Sequence, residues 1–155
     1  MVPADIDFEL TKPVPVAHES KDNAAAEVRD LKKILAAESS AVETYKQLLK
    51  KFQDFKGFND LKDILQDHKK AVEFWKTQLR SKDIQVKDMA SPWSHAASAL
   101  ALQELKLGEA HGLSLYEELI HNNKVNFQSL SFIRNIGLDQ QRKHLAILDG
   151  LLELV

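Results

Sequence analysis

The sequence contains no cysteine. That excludes thiolate nucleophiles, disulfide frameworks and cysteine-based zinc sites together, and it leaves the redox compartment open. Only five glycines and four prolines interrupt 155 residues, so long unbroken helices are the expected building blocks. Neither charge sign dominates. The 21 basic and 23 acidic residues give a net charge of −2, without the clustered basic face that nucleic-acid binding requires. No run approaches the ~18 apolar residues of a membrane span. The first residues lack the basic start and apolar stretch of a secretory leader. Phosphate-cradling glycine loops and a nucleophile elbow are also missing, which speaks against kinase and hydrolase chemistry. The expectation is one soluble, cytoplasmic domain, long enough to bury a core without covalent staples.

What is present is apolar periodicity at helical spacing. Pro3, Pro13 and Pro15 mark residues 1–21 as a partly extended arm, with a bundle over 22–155. Asp22 or Asn23 offers an N-cap for a first helix. Its seam runs Leu31, Leu35, Glu38, Val42, Tyr45, Leu49, Phe52 in alternating steps of four and three. After a break at Gly57 the second seam runs Phe58, Leu61, Leu65, His68, Val72, Trp75, Leu79. A polar connection follows, and Ser91-Pro92 starts a third helix. Its seam is Leu102, Leu105, Glu109, Gly112, Tyr116, Leu119, ending near Asn122 and Asn123. The fourth, from about Ser129 to Leu154, gives Leu130, Ile133, Gly137, Gln140, His144, Ile147, Leu151, Leu154. Four such helices with short connections predict an all-α, antiparallel up-down-up-down four-helix bundle.

The first and third helices resemble each other. LKKILAAESSAVETYKQLL from Leu31 aligns with LQELKLGEAHGLSLYEELI from Leu102. Leu31 pairs with Leu102, Ala37 with Gly108, Glu38 with Glu109 and Tyr45 with Tyr116. The second and fourth helices carry one seam histidine each. A helix pair used twice predicts a pseudo-twofold axis.

Each seam thus has one polar interruption at similar depth: Glu38, His68, Glu109 and His144, with Gln140 or Gln141 beside the last. Buried carboxylates need a partner, a hydrogen bond or a metal, so these side chains are expected to meet. Glutamate and histidine also bind iron, manganese or zinc in bundle cores. Two carboxylates carry −2, which one divalent ion balances, and so do two protonated histidines with no ion. A hydrogen-bonded network that sets helix register, a single-metal site and a two-metal site all remain open. The last would need further ligands such as Asp63, Asp67 or Glu104.

The order Glu, His, Glu, His on successive helices resembles the ferritin-like superfamily. LGEAHGLSLYEELI, AAESSAVETYKQLLKKF and the SPW start resemble, more narrowly, an uncharacterised bacterial family of ferritin-like bundles. The resemblance covers residues 28–153. It implies Glu38, His68, Glu109 and His144 as candidate metal ligands, with Gln140, Gln141, Tyr45 and Tyr116 around them. Ferritin-like di-iron proteins also carry a glutamate three places before each histidine, where this chain has Leu65 and Gln141. The implied protein is a bundle of unknown role, non-enzymatic and without a catalytic residue, whose polar layer derives from a di-metal site. The alternative is a protein holding a single Fe, Mn or Zn ion, or a vestigial di-iron oxidase or iron-handling protein. Family analogy and aromatic helix faces suggest a homodimer.

The remaining candidates have ordinary structural readings. Trp75 and Trp93 read as core or interface anchors, and Tyr45 and Tyr116 as core tyrosines with satisfied hydroxyls. Gly108, Gly112 and Gly137 read as points of close helix approach. His18, His95, His111 and His121 read as surface residues.

Overall fold

The computed structural model describes the backbone of residues 16–86, 98–122 and 125–154, with side chains for all of these except 16–23, 98–100 and 122. It is all-helical, with no strand among the described residues. Helix α1 spans Val16–Lys51, α2 Phe58–Arg80 and α3 Ser98–Asn122. A fourth helical column is assembled from α4 (Phe127–Phe132), a π-helical turn (Ile133–Gly137) and α5 (Leu138–Leu152).

Helix α1 starts six residues earlier than the sequence suggested, so Asp22 and Asn23 lie inside it. All three N-terminal prolines precede Val16. Beyond them nothing breaks the helix, and a good capping residue does not force an end. Residues 1–15 of the expected arm, and the Ser91-Pro92-Trp93 start, lie outside the described residues.

Cross-helix pairs fix the direction of each element. Glu38 meets His68, and Glu27 meets Lys82 just past α2, so α1 and α2 run antiparallel. Tyr45 meets Glu109 and Lys33 meets Glu118, so α1 and α3 are also antiparallel. His68 meets Glu109 and Trp75 meets Tyr116. Both members of that second pair lie seven residues further on, so α2 and α3 run parallel. Glu109 meets His144 and Lys106 meets Asp149, which turns the fourth column back against α3. The order is therefore up-down-down-up, not the expected up-down-up-down. The physical reason is the connection. Residues 81–97 join the end of α2 to a helix start at the opposite end of the bundle, about 34 Å away, well within the reach of that many residues. Seam periodicity carries no information on helix direction.

The core is built from the expected seams. Leu31, Leu35, Leu61, Leu65, Trp75, Leu79, Leu102, Leu105, Leu119, Ile133 and Leu151 are buried, each contributing on the order of 1.5–3 kcal/mol through burial. The fourth column departs from its pattern. The π-helical turn widens the helix by one residue, so the buried line is Ser129, Ile133, Gly137, Gln141, His144, Leu148, Leu151. Gln141 and Leu148 thereby replace Gln140 and Ile147 on the inner face.

At one end a second polar group locks the connections. Glu27 accepts the Asn126 backbone N–H at 2.6 Å and pairs with Lys82. Asn126 caps α4 through Ser129 N–H at 2.8 Å and donates to buried Gln78 at 3.1 Å.

Candidate functional site

The polar residues of the four seams converge. Glu38, His68, Glu109, Gln141 and His144 are each at most 3% exposed, at a cost that only mutual satisfaction can offset. Glu109, fully buried, is the hub. Its Oε2 accepts the Tyr45 hydroxyl at 2.6 Å and faces His68 Nε2 at 2.7 Å. Its Oε1 accepts the Gln141 amide at 3.0 Å and faces His144 Nδ1 at 3.2 Å. Four partners fill the roughly four acceptor positions of a carboxylate. The Gln141 amide also donates to the Glu109 carbonyl at 3.0 Å, which fixes its orientation.

Outward from this hub, acids and imidazoles alternate. His68 Nδ1 faces Glu38 Oε1 at 3.1 Å, and His144 Nε2 faces Asp67 Oδ2 at 2.9 Å. The chain reads Glu38, His68, Glu109, His144, Asp67. It runs from the buried α1 side to Asp67, whose side chain is 23% exposed. Asp67 precedes His68 by one residue and so points about 100° away from it, toward the fourth column.

Electrostatics follow from this geometry. Burial alone would lower the affinity of His68 for its proton, but Glu109 and Glu38 outweigh it and hold the imidazole well above its usual range. Both its nitrogens therefore donate. Burial would raise the Glu109 carboxyl, but the His68 charge and the hydrogen bonds from His144 and His68 hold it well below the usual carboxylate range. Burial first, then the Glu109 charge, pushes the Tyr45 phenol upward. For Tyr116 burial again leads, followed by Glu38, while the Trp75 indole donating at 3.0 Å opposes them.

The tyrosines cross over. Tyr45 of α1 binds Glu109 of α3, and Tyr116 of α3 lies against Glu38 of α1. Seven residues separate each glutamate from its own helix's tyrosine, and antiparallel packing turns that offset into reciprocity. The aligned segments thus meet as a pseudo-twofold pair, broken in two ways: Gln141 supports Glu109 where the corresponding Leu65 has no hydrogen-bonding group for Glu38, and Glu109 faces both histidines where Glu38 faces only His68. Two glycines make room. A Cβ at Gly112 would sit 2.6 Å from Gln141 Nε2, and one at Gly137 would sit 3.1 Å from the Tyr116 ring. Their reading as close helix approach becomes specific: each admits one side chain of the network. Gln140 is half-buried and outside it. Trp75 is core, as expected, and also supports Tyr116. His111 and His121 are exposed, while Trp93, His95 and the His18 side chain lie outside the described residues.

His68, Glu109 and His144 each present a ligand atom within 4.8 Å of the others. A tetrahedral ion with bonds of about 2.0–2.1 Å needs ligand atoms about 3.3 Å apart, so a modest contraction would hold one ion. It would have to displace the protons shared with Glu109. Glu38 does not face that point, since it touches the far nitrogen of His68. Three places before the two histidines stand Leu65 and Gln141, neither of which offers a carboxylate. No family model, curated protein or solved structure matches this chain.

Proposed function

We propose that this chain is a ferritin-like bundle whose di-metal layer has become a closed, metal-free Glu/His network, and that it acts as a non-enzymatic, ligand-holding or interaction protein. The observation that carries this reading is Glu109, whose acceptor positions are all met by protein groups. A carboxylate so satisfied has nothing to gain from an ion that does not first remove two protons. The ferritin-like part is supported by the single long connection between α2 and α3, the arrangement of that bundle class. It is supported too by the Glu, His, Glu, His order. A homodimer belongs to the same family reading.

One observation favours a second reading, a single Fe, Mn or Zn ion on His68, Glu109 and His144. Each histidine presents its outer nitrogen to a carboxylate, Glu38 or Asp67, the second-layer pattern of metal-bound histidines. When bound, such an ion would take the place of the two imidazole protons that face Glu109. The test is metal content of the untagged protein, before and after loading with iron, manganese or zinc. Less than a tenth of an equivalent is expected, on the order of adventitious binding. A stoichiometric ion that vanishes in Glu109→Ala and His144→Ala would overturn the metal-free reading.

A further inference from the structure

Between α1 and α3 lies a cavity of about 260 Å³ that reaches down to the network. Small residues create it: Ala36, Ala37 and Ala41 on one wall, Gly108 and Gly112 on the other, closed by Leu115. Its floor is formed by Glu38, His68, Glu109 and Gln141.

Donor and acceptor capacity on that floor is lopsided. Both N–H groups of His68 point to carboxylates, and the Gln141 amide hydrogens go to Glu109. The Tyr45 hydroxyl is spent on Glu109 as well. Among the described residues of that floor, no donor is left over. Acceptors are left over. The Gln141 residue is 2% exposed, yet its amide oxygen has no donor among the described residues. Ser129 Oγ is the one sealed, unpartnered side-chain atom among them, so the Gln141 oxygen keeps some exposure, and Gln141 lines the cavity. Glu38 is the buried end of the alternating chain, engaged by one imidazole, that of His68, and by the neutral Tyr116 hydroxyl. Three carboxylates share two imidazoles. Glu109 is saturated and Asp67 reaches solvent, so the uncompensated share of negative charge falls on Glu38. At the rim, Lys33 is 59% exposed and turned toward Glu118 at 3.9 Å, and Ser40 and exposed His111 complete the lining.

We propose that this cavity is a binding site for a small primary ammonium ion, its alkyl part against the alanine wall and its N–H groups on Glu38 and the Gln141 oxygen. A buried, half-compensated carboxylate favours a cation, and an acceptor-only floor favours one that carries N–H donors. The inference rests on the metal-free reading of the network, because an ion at Glu109 would reorganise the same floor.

The test uses the full chain, with ethylammonium as probe and tetramethylammonium as a cation of equal charge without donors. The readout is the ring resonances of His68 and the side-chain amide of Gln141 at constant ionic strength. Saturable shifts with ethylammonium alone are expected. Gln141→Leu should weaken the apparent affinity about tenfold, the scale of one lost hydrogen bond to a charged group. Ala37→Leu, which fills the wall without touching the network, should abolish it while helical circular dichroism is retained. Equal shifts with tetramethylammonium, no shifts, or unchanged binding in Ala37→Leu would each overturn the site. Metal analysis of the same sample separates the two failures: bound metal sinks the network reading, whereas metal-free protein indifferent to ethylammonium sinks only this site.

Discussion

Replacing Glu109 with glutamine changes one oxygen to an amide and leaves the volume unchanged, so its cost reports electrostatics and hydrogen bonding alone. The glutamine oxygen can still accept from Tyr45 and His68. Its NH₂ group would then face the Gln141 amide at 3.0 Å and His144 Nδ1 at 3.2 Å, donor against donor. Two hydrogen bonds to a charged group are lost, each worth about 1.5–3 kcal/mol. The total agrees with the roughly 3–5 kcal/mol that follows from removing one partner of a buried charge pair. For a chain of this size that lowers Tm by on the order of 6–20 °C. Glu38→Gln gives the internal control. Its oxygen still accepts from His68 Nδ1, and the loss should be about 1–2 kcal/mol. Urea unfolding of the three proteins, followed by circular dichroism, reads both values. Equal costs at Glu38 and Glu109, or a change below 1 kcal/mol at Glu109, would refute the assignment of Glu109 as hub.

Further outcomes follow from the same geometry. Stability should form a plateau between about pH 4.5 and 6.5. The contribution of His68, raised in the fold, is complete below its unfolded value and is lost as pH rises through the folded one. That of Glu109, depressed in the fold, is complete above its unfolded value and is lost as pH falls. Thermal melts across pH 3–10 read this, and a Tm that climbs steadily from pH 6.5 to 9 would contradict it. Glu38→Leu should destabilise by about 2–4 kcal/mol, because it strands His68 Nδ1 in the core; a stability gain in urea would show that the layer is not coupled. Gly112→Ala should cost about 1–3 kcal/mol through overpacking and disturb the Gln141 amide resonance, and an unchanged resonance would show that Gly112 is not what admits Gln141.

Much of this architecture was legible in the sequence because burial follows periodicity. The seams of α1, α2 and α3 put Glu38, His68 and Glu109 inside, and the aligned segments LKKILAAESSAVETYKQLL and LQELKLGEAHGLSLYEELI pointed to the twofold relation. Gln141 could not be separated from Gln140, because one added residue at the π-helical turn moves the inner face and no residue type signals such a turn. Helix direction is not carried by periodicity, because an amphipathic stripe looks the same in either direction, and a third helix expected from Ser91 makes the connection after Arg80 look short. Asp67 carried a weak signal as a carboxylate next to a seam histidine, without saying which helix it faced. Glu27 and Gln78 carried none, since their partners Lys82 and Asn126 sit in connections whose course periodicity does not report.

The central claim, that the layer is closed by protons and not by a metal, is tested most directly at His68. Its ring ¹⁵N and attached-proton resonances at neutral pH distinguish the states. The expected result is an imidazolium with both nitrogens protonated, persisting above pH 7. A neutral ring with a bare Nε2, or a nitrogen shifted by a bound ion, would contradict it.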